Sequence, residues 1–244
     1  MTVPSELKTM KRVLLVAYHY PPDAAVGAVR PSKFARYLPD SYWQPIVLTA
    51  ASSDSGGCGS EKNDEGKVYR VSEWPHPLKT WMRFRERRAR RKGRSSELQS
   101  KWSVSRAELT SPPRDALAFT KRWIFSFFRL PDEEPGWLLP AIWKGRRLIR
   151  QKKINCIITT APPFTCHLVG LALKRLTKVP WIADFRDPWT VNRRSLLLRN
   201  RIGDAIEAKL IRSVMAKADR VVCVTTQWTE ETKKAHPDVD PGKF

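Results

Sequence analysis

Six short apolar runs are spaced along the chain, and most stretches between them carry apolar residues at helical spacing. The runs are Arg12–Tyr18, Gln44–Ala50, Val68–Val71, Asn155–Thr160, Val179–Phe185 and Arg220–Thr225. Continuous apolar character, rather than alternation, marks strands buried on both faces, as in a parallel sheet. The first run is followed by Pro21-Pro22, where a ladder hydrogen bond is lost. Pro31 opens a helix with Phe34, Ala35 and Leu38 on one face. Asp132–Trp137 reads as a turn. The helix after it carries Leu138, Ile142 and Ile149 on one side and Lys144, Arg146, Arg147 and Arg150 on the other. Phe164–Leu176 and Arg199–Ala218 are two further helices, the second with Ile202, Ile206, Leu210 and Val214 at spacings of four, and a short helix starts at Thr226. Strands alternating with helices predict an α/β fold, a Rossmann-like three-layer domain around a mainly parallel sheet.

The pattern lapses in the middle of the chain. Ser52–Gly66 is rich in Ser, Gly, Asp and Glu and reads as a surface loop. Lys79–Arg94 then holds nine Lys and Arg against one acid, Glu86, and polar sequence without a period continues to Pro113. The expectation is one domain over residues 1–244 with a basic insertion at about 77–115. That insertion is either a solvated charge run or an electrostatic patch, with Trp81, Met82 and Phe84 as shallow anchors on a membrane. Leu117–Leu130 places Phe119, Trp123, Phe125, Phe127 and Phe128 among Lys121, Arg122 and Arg129. It reads as a core helix, because large aromatics are mostly buried, or as a helix lying on lipid.

Charge changes the picture of partners. Lys and Arg number 45 against 24 Asp and Glu, a formal net charge of +21. Such a surface attracts nucleic acid, anionic lipid or phosphorylated substrates. No helix-turn-helix, zinc-finger or RNP signature is present, which argues against nucleic acid as the partner. The cysteines, Cys58, Cys156, Cys166 and Cys223, include no C-x-x-C pair, so a reducing compartment, no disulfide framework and no metal are expected. No apolar run approaches the ~20 residues of a membrane span, and Val13–Ala17 is too short for a signal-peptide core. The expected location is cytoplasmic, peripheral on the inner face of the membrane.

In open parallel sheets, ligands bind beyond the C-terminal ends of the strands. Four such ends carry candidate chemistry: Gly27 and Arg30 after the first run, Thr160–His167 after the fourth, Asp184, Arg186, Asp187 and Trp189 after the fifth, and Thr225 after the sixth. They are expected to converge on one crevice. Gly27 lacks the paired glycines of a dinucleotide fingerprint, and no Walker A sequence exists, which excludes NAD and P-loop nucleotide chemistry. His167 near a helix N-terminus tends to be neutral, so it suits a sugar hydroxyl, or it is a partly exposed polar residue. Asp187 or Asp184 can accept a proton from an attacking hydroxyl, and the planar fork of Arg186 suits a phosphate or carboxylate. The alternative is an ion pair that closes a loop. Thr225 can line the crevice or cap the last helix.

Taken in order, the motifs form a combination. Val13–Pro22 (Val-Leu-Leu-Val-Ala-Tyr-His-Tyr-Pro-Pro) is followed by Gly27-Ala-Val-Arg30-Pro, Phe34–Pro39 and Trp43–Thr49. Thr160-Ala-Pro-Pro-Phe-Thr-Cys-His167, Asp184-Phe-Arg-Asp-Pro-Trp189, Glu207 and Ala218-Asp219 come later. The series resembles the N-terminal half of family 4 glycosyltransferases of the GT-B fold, over the whole chain except about residues 51–115. The resemblance implies the acceptor-side Rossmann-like domain of a retaining transferase, with a nucleotide sugar as donor substrate, a glycan or lipid-linked acceptor, and no metal or other cofactor. It implies Asp187, Asp184 and His167 as catalytic candidates and Gly27, Arg30, Arg186, Trp189 and Thr225 as substrate-binding candidates. Where the family often has a histidine after the fifth strand, this chain has Arg186 beside Asp187, and Ala24-Ala25 replace the paired glycines of the first loop. The C-terminal donor-binding domain is expected to be absent, the chain being a truncated product, a split subunit or a cut piece, and the 244 residues alone are expected to transfer little or no sugar. A non-catalytic remnant, or a basic module binding nucleic acid or a membrane surface, is the alternative.

Overall fold

The computed structural model describes residues 10–51, 67–74, 132, 134–189 and 201–244. The expected loop at 52–66, the basic insertion at 77–115, the aromatic segment 117–130 and Cys58 lie outside the described residues. The strands are β1 (Lys11–Val16), β2 (Trp43–Ala50), β3 (Val68–Val71), β4 (Cys156–Ala161), β5 (Trp181–Phe185) and β6 (Arg220–Cys223). The helices are α1 (Val29–Tyr37), α2 (Pro135–Gln151), α3 (Thr165–Thr177), α4 (Arg201–Lys217) and α5 (Thr226–Ala235). All pairings are parallel, and the sheet order is β3-β2-β1-β4-β5-β6. This is the doubly wound order of a Rossmann-like sheet, consistent with one half of a GT-B fold. Its direction of winding reverses between β1 and β4, the switch point beyond which open α/β sheets hold their ligands.

Three layers follow from alternation along the strands. Leu14, Val16, Ile46, Leu48, Ile157 and Ala183 face one side, where Trp137, Ala141 and Leu148 of α2, Val169 and Leu173 of α3, and Val214 of α4 pack. Leu15, Val47 and Val68 face the other side, against Phe34 and Ala35 of α1. α3 lies very close to the sheet because Gly170 has no side chain: a Cβ there would stand 2.5 Å from the Trp181 indole and 2.6 Å from Thr159 Cγ2. α2 begins at Pro135, inside the expected turn, and its buried stripe runs through Trp137, Ala141, Gly145 and Leu148. Leu138 and Ile142 pack only at the margin. The stripe includes Gly145, whose missing side chain brings the backbone close to Leu173 and Leu48, a gain that apolar counting misses. No helix among the described residues is long and apolar enough to cross a membrane.

Candidate functional site

The reversal brings the ends of β1, β4, β5 and β6 together as four neighbouring strands. Register sets Thr160 beside Asp184 on adjacent strands. Arg30, from the first turn of α1, reaches across β4 to the same carboxylate. Its Nε donates to Asp184 Oδ2 at 2.8 Å and a terminal nitrogen donates to Oδ1 at 2.7 Å. Thr160 Oγ1 donates to Oδ2 at 2.8 Å. Asp184 is buried, and bidentate charge-assisted bonding of this kind is the geometry in which a carboxylate tolerates burial. Both of its oxygens are occupied, so Asp184 ties the β1–α1 connection to β5. Arg30 also lies 5.2 Å from the Phe34 ring centroid, which orients its fork.

His167 is buried as well, which corrects the expectation of a partly exposed side chain. Its Nδ1 lies 2.8 Å from Thr159 Oγ1, which accepts from Trp181 Nε1 at 3.0 Å. The ring packs 4.3 Å from Phe185 and 6.3 Å from Trp189, centroid to centroid. Burial drives its pKa from the usual 6.5 down to about 3, so it is neutral. With no surface to offer a substrate, His167 supports the strand ends from beneath. Trp189 is buried too, stacked on Phe164 at 4.4 Å with an interplanar angle of 14°. It closes the aromatic layer instead of presenting a platform.

The exposed groups are different. Arg186 and Asp187 follow β5 and pair only loosely, Nε to Oδ2 at 3.7 Å, with the Asp187 side chain half exposed. The Arg186 N–H donates to Ala161 O at 3.0 Å, extending the ladder by one residue and fixing where its side chain starts. Thr225 is exposed and caps α5, its hydroxyl oxygen accepting from Trp228 N at 3.2 Å.

A further pair escaped the sequence reading. His19 Nδ1 meets Asp23 Oδ2 at 2.6 Å, and Asp23 Oδ1 accepts from Ala25 N at 2.9 Å. The His19 hydrogen bond, chiefly, holds the Asp23 carboxyl below its usual range. Both side chains are about one-third exposed. A carboxylate on Nδ1 fixes the neutral tautomer that leaves Nε2 free to accept a proton. Gly27 serves this pair, because a Cβ there would stand 3.0 Å from His19 Cδ2. Gly27, a substrate-binding candidate in the sequence, thus makes room for the His19 ring. The readable signal was a histidine two residues beyond the first apolar core, with an acid four residues on, His19-Tyr-Pro-Pro-Asp23.

Tyr18 completes the β1 end. Its hydroxyl bonds Glu73 and, at 2.9 Å, Glu134, and burial together with these acids raises its pKa. Asp132 accepts from Thr165 N at 2.7 Å and Thr165 Oγ1 at 2.6 Å, capping α3 from a distant part of the chain. Burial holds its carboxyl above the usual range in spite of these bonds. No cluster of His, Cys, Asp and Glu suited to a metal occurs among the described residues.

The family model described as Glycosyltransferase Family 4 matches residues 104–244, more than half of the chain. The chain belongs to glycosyltransferase family 4. No curated protein matches it. A crystal structure of a glycosyltransferase from Rickettsia africae ESF-5 is similar at a TM-score of 0.42 and 11% identity, over 96% of this family 4 chain and 41% of the other. The family 4 chain therefore spans less than half the length of that protein. The family match covers β4, β5 and β6 with their crevice ends, and so Asp184, Arg186, Asp187 and Thr225, whereas Gly27 and Arg30 lie before it.

Proposed function

We propose that this family 4 domain is the acceptor-binding half of a retaining glycosyltransferase. It moves a hexosyl group from a nucleotide sugar to a glycan or lipid-linked acceptor at the inner membrane face. The observation that carries the reading is the sheet order, which reverses between β1 and β4, with two partly exposed, chemically complementary pairs, His19–Asp23 and Arg186–Asp187, following β1 and β5. Arg186 suits an acceptor phosphate or carboxylate. Asp187 and His19 suit the acceptor hydroxyl, as hydrogen-bond partners or as the group that receives its proton. Arg30, Asp184, Thr160 and His167 hold those groups in place. The donor is bound mainly by a second Rossmann-like domain supplied from outside these 244 residues. No metal or additional cofactor enters the proposal.

Ligand-observed NMR on the purified chain tests it. Saccharides linked to shortened lipid phosphates are expected to bind, and to lose binding in Arg186→Gln. Nucleotide sugars are expected to bind weakly and not to turn over. Tight nucleotide-sugar binding without acceptor binding, or turnover by the chain alone, overturns the acceptor-half reading.

A further inference from the structure

The outward side of α2 carries a stripe that the crevice does not use. At about 100° per residue, Leu139, Trp143, Arg146, Arg147 and Arg150 fall within roughly 100° of arc. They lie opposite the buried Trp137, Ala141 and Leu148. Leu139 is 56% exposed and Trp143 67%, and the three arginines are exposed. Trp74, 59% exposed, extends the stripe past the helix start: its N–H donates to Gly136 O at 3.0 Å, and Gly136 shares the same arc. Trp74 and Trp143 are the exposed tryptophans among the described residues, and the Trp74 backbone is bonded to the helix start that carries the stripe.

A solvated helix face accounts for the arginines, and Arg150 in the last turn also complements the helix dipole. It does not account for two tryptophans and a leucine left in water together. Large apolar side chains at one end of a stripe and long cationic ones at the other suit a bilayer interface. There, indoles settle at headgroup depth while arginine stems lie along apolar surface and their heads meet phosphates. The net charge of +21 supplies the attraction to an anionic leaflet.

We infer that the α2 stripe docks the protein on an anionic lipid bilayer. Trp74, Leu139 and Trp143 enter the acyl boundary, and Arg146, Arg147 and Arg150 meet headgroup phosphates. The N-terminal end of α2 lies at the same sheet edge as the crevice, since Trp137 packs edge-on to Tyr18 with centroids 5.5 Å apart. On the proposed function, which this clause rests on, the surface delivers a lipid-linked acceptor beside the strand ends.

The test is sedimentation of the full chain with vesicles of phosphatidylcholine alone and of phosphatidylcholine with one-quarter phosphatidylglycerol. The wild type is expected to bind the anionic vesicles preferentially. The triple variant Arg146→Gln, Arg147→Gln, Arg150→Gln is expected to bind them roughly 100-fold more weakly, from about 1 kcal/mol per basic residue near the surface. Trp74→Ser with Trp143→Ser is expected to lose at least tenfold. A charge-matched control removes exposed cations elsewhere, Lys33→Gln, Arg36→Gln and Lys234→Gln. It is expected to lose only a few-fold. Equal losses in the control and the α2 triple overturn the inference while leaving membrane association standing. No binding by the wild type overturns the inference and the membrane clause of the proposed function, though not glycosyl transfer. Displacement from vesicles by duplex DNA that depends on the same three arginines assigns the stripe to nucleic acid and overturns it too.

Discussion

Two arginine–aspartate pairs meet at the end of β5 and behave as opposites. Arg30 and Asp184 are 154 residues apart in sequence, meet in bidentate geometry and bury the carboxylate. Arg186 and Asp187 are sequence neighbours, lie 3.7 Å apart at one atom pair and leave the carboxylate half exposed. Asp184 has spent its acceptors on Arg30 and Thr160, whereas Asp187 keeps acceptors for a ligand. The two histidines divide the same way: His167 is sealed below the strand ends, and His19 stands in the loop with Asp23 behind it. Residue type does not assign a role at this edge; the number of bonds already satisfied does.

The sharpest way to break the comparison is to cut both pairs identically. Arg30→Met leaves a buried carboxylate without its cation and is expected to cost about 3 kcal/mol in urea unfolding. Arg186→Met is expected to stay within about 0.5 kcal/mol. Similar losses for the two would erase the distinction. Next in size, Gly170→Ala pushes a methyl into Trp181 and Thr159. It is expected to cost about 2 kcal/mol and to disturb the support beneath Asp184. Urea unfolding measures the first effect, and near-ultraviolet circular dichroism of the buried tryptophan measures the second.

The buried histidine gives a pH signature. Its folded pKa, about 3, lies below the unfolded 6.5, so the unfolded state binds the extra proton first. Its contribution to stability is complete above the unfolded value and declines as pH falls. Between about pH 6.5 and 5, above the range of ordinary carboxylates, the folding constant is expected to fall with a slope approaching tenfold per pH unit. Urea midpoints at several pH values measure it, and His167→Phe should flatten that window. The smallest effects on stability belong to the exposed pairs. Asp187→Asn and Asp23→Asn are each expected to change unfolding by about 0.5 kcal/mol or less, yet to weaken binding of a lipid-linked saccharide about tenfold, measured by titration. A variant that loses stability without losing binding places its residue with Asp184 instead.

Much of the fold was legible because strand burial is written as continuous apolar sequence. β3 appears at its expected ends, and the other strands start or stop within one or two residues, as Trp43–Ala50 and Trp181–Phe185 illustrate. What sequence did not disclose depends on distance through space. Arg30 and Asp184 become partners only when β1 and β5 flank β4. His167 looks polar beside an apolar stripe, and its burial follows from Thr159 and Trp181 on two other elements. Trp189 is a substrate-binding candidate by resemblance, and only the structure shows it buried and stacked on Phe164. The α2 stripe includes Gly145, which gains from close fit against Leu173 and Leu48 and not from hydrophobicity.

The bond from Trp74 N to Gly136 O has one more consequence. It joins the end of β3 to the start of α2, while Asp132, a few residues before α2, is anchored separately on Thr165. Trp74 is therefore fastened to the start of α2 and Asp132 to the start of α3. Each flank of residues 75–131 thus keeps its place by a bond of its own, one through the backbone and one through a carboxylate.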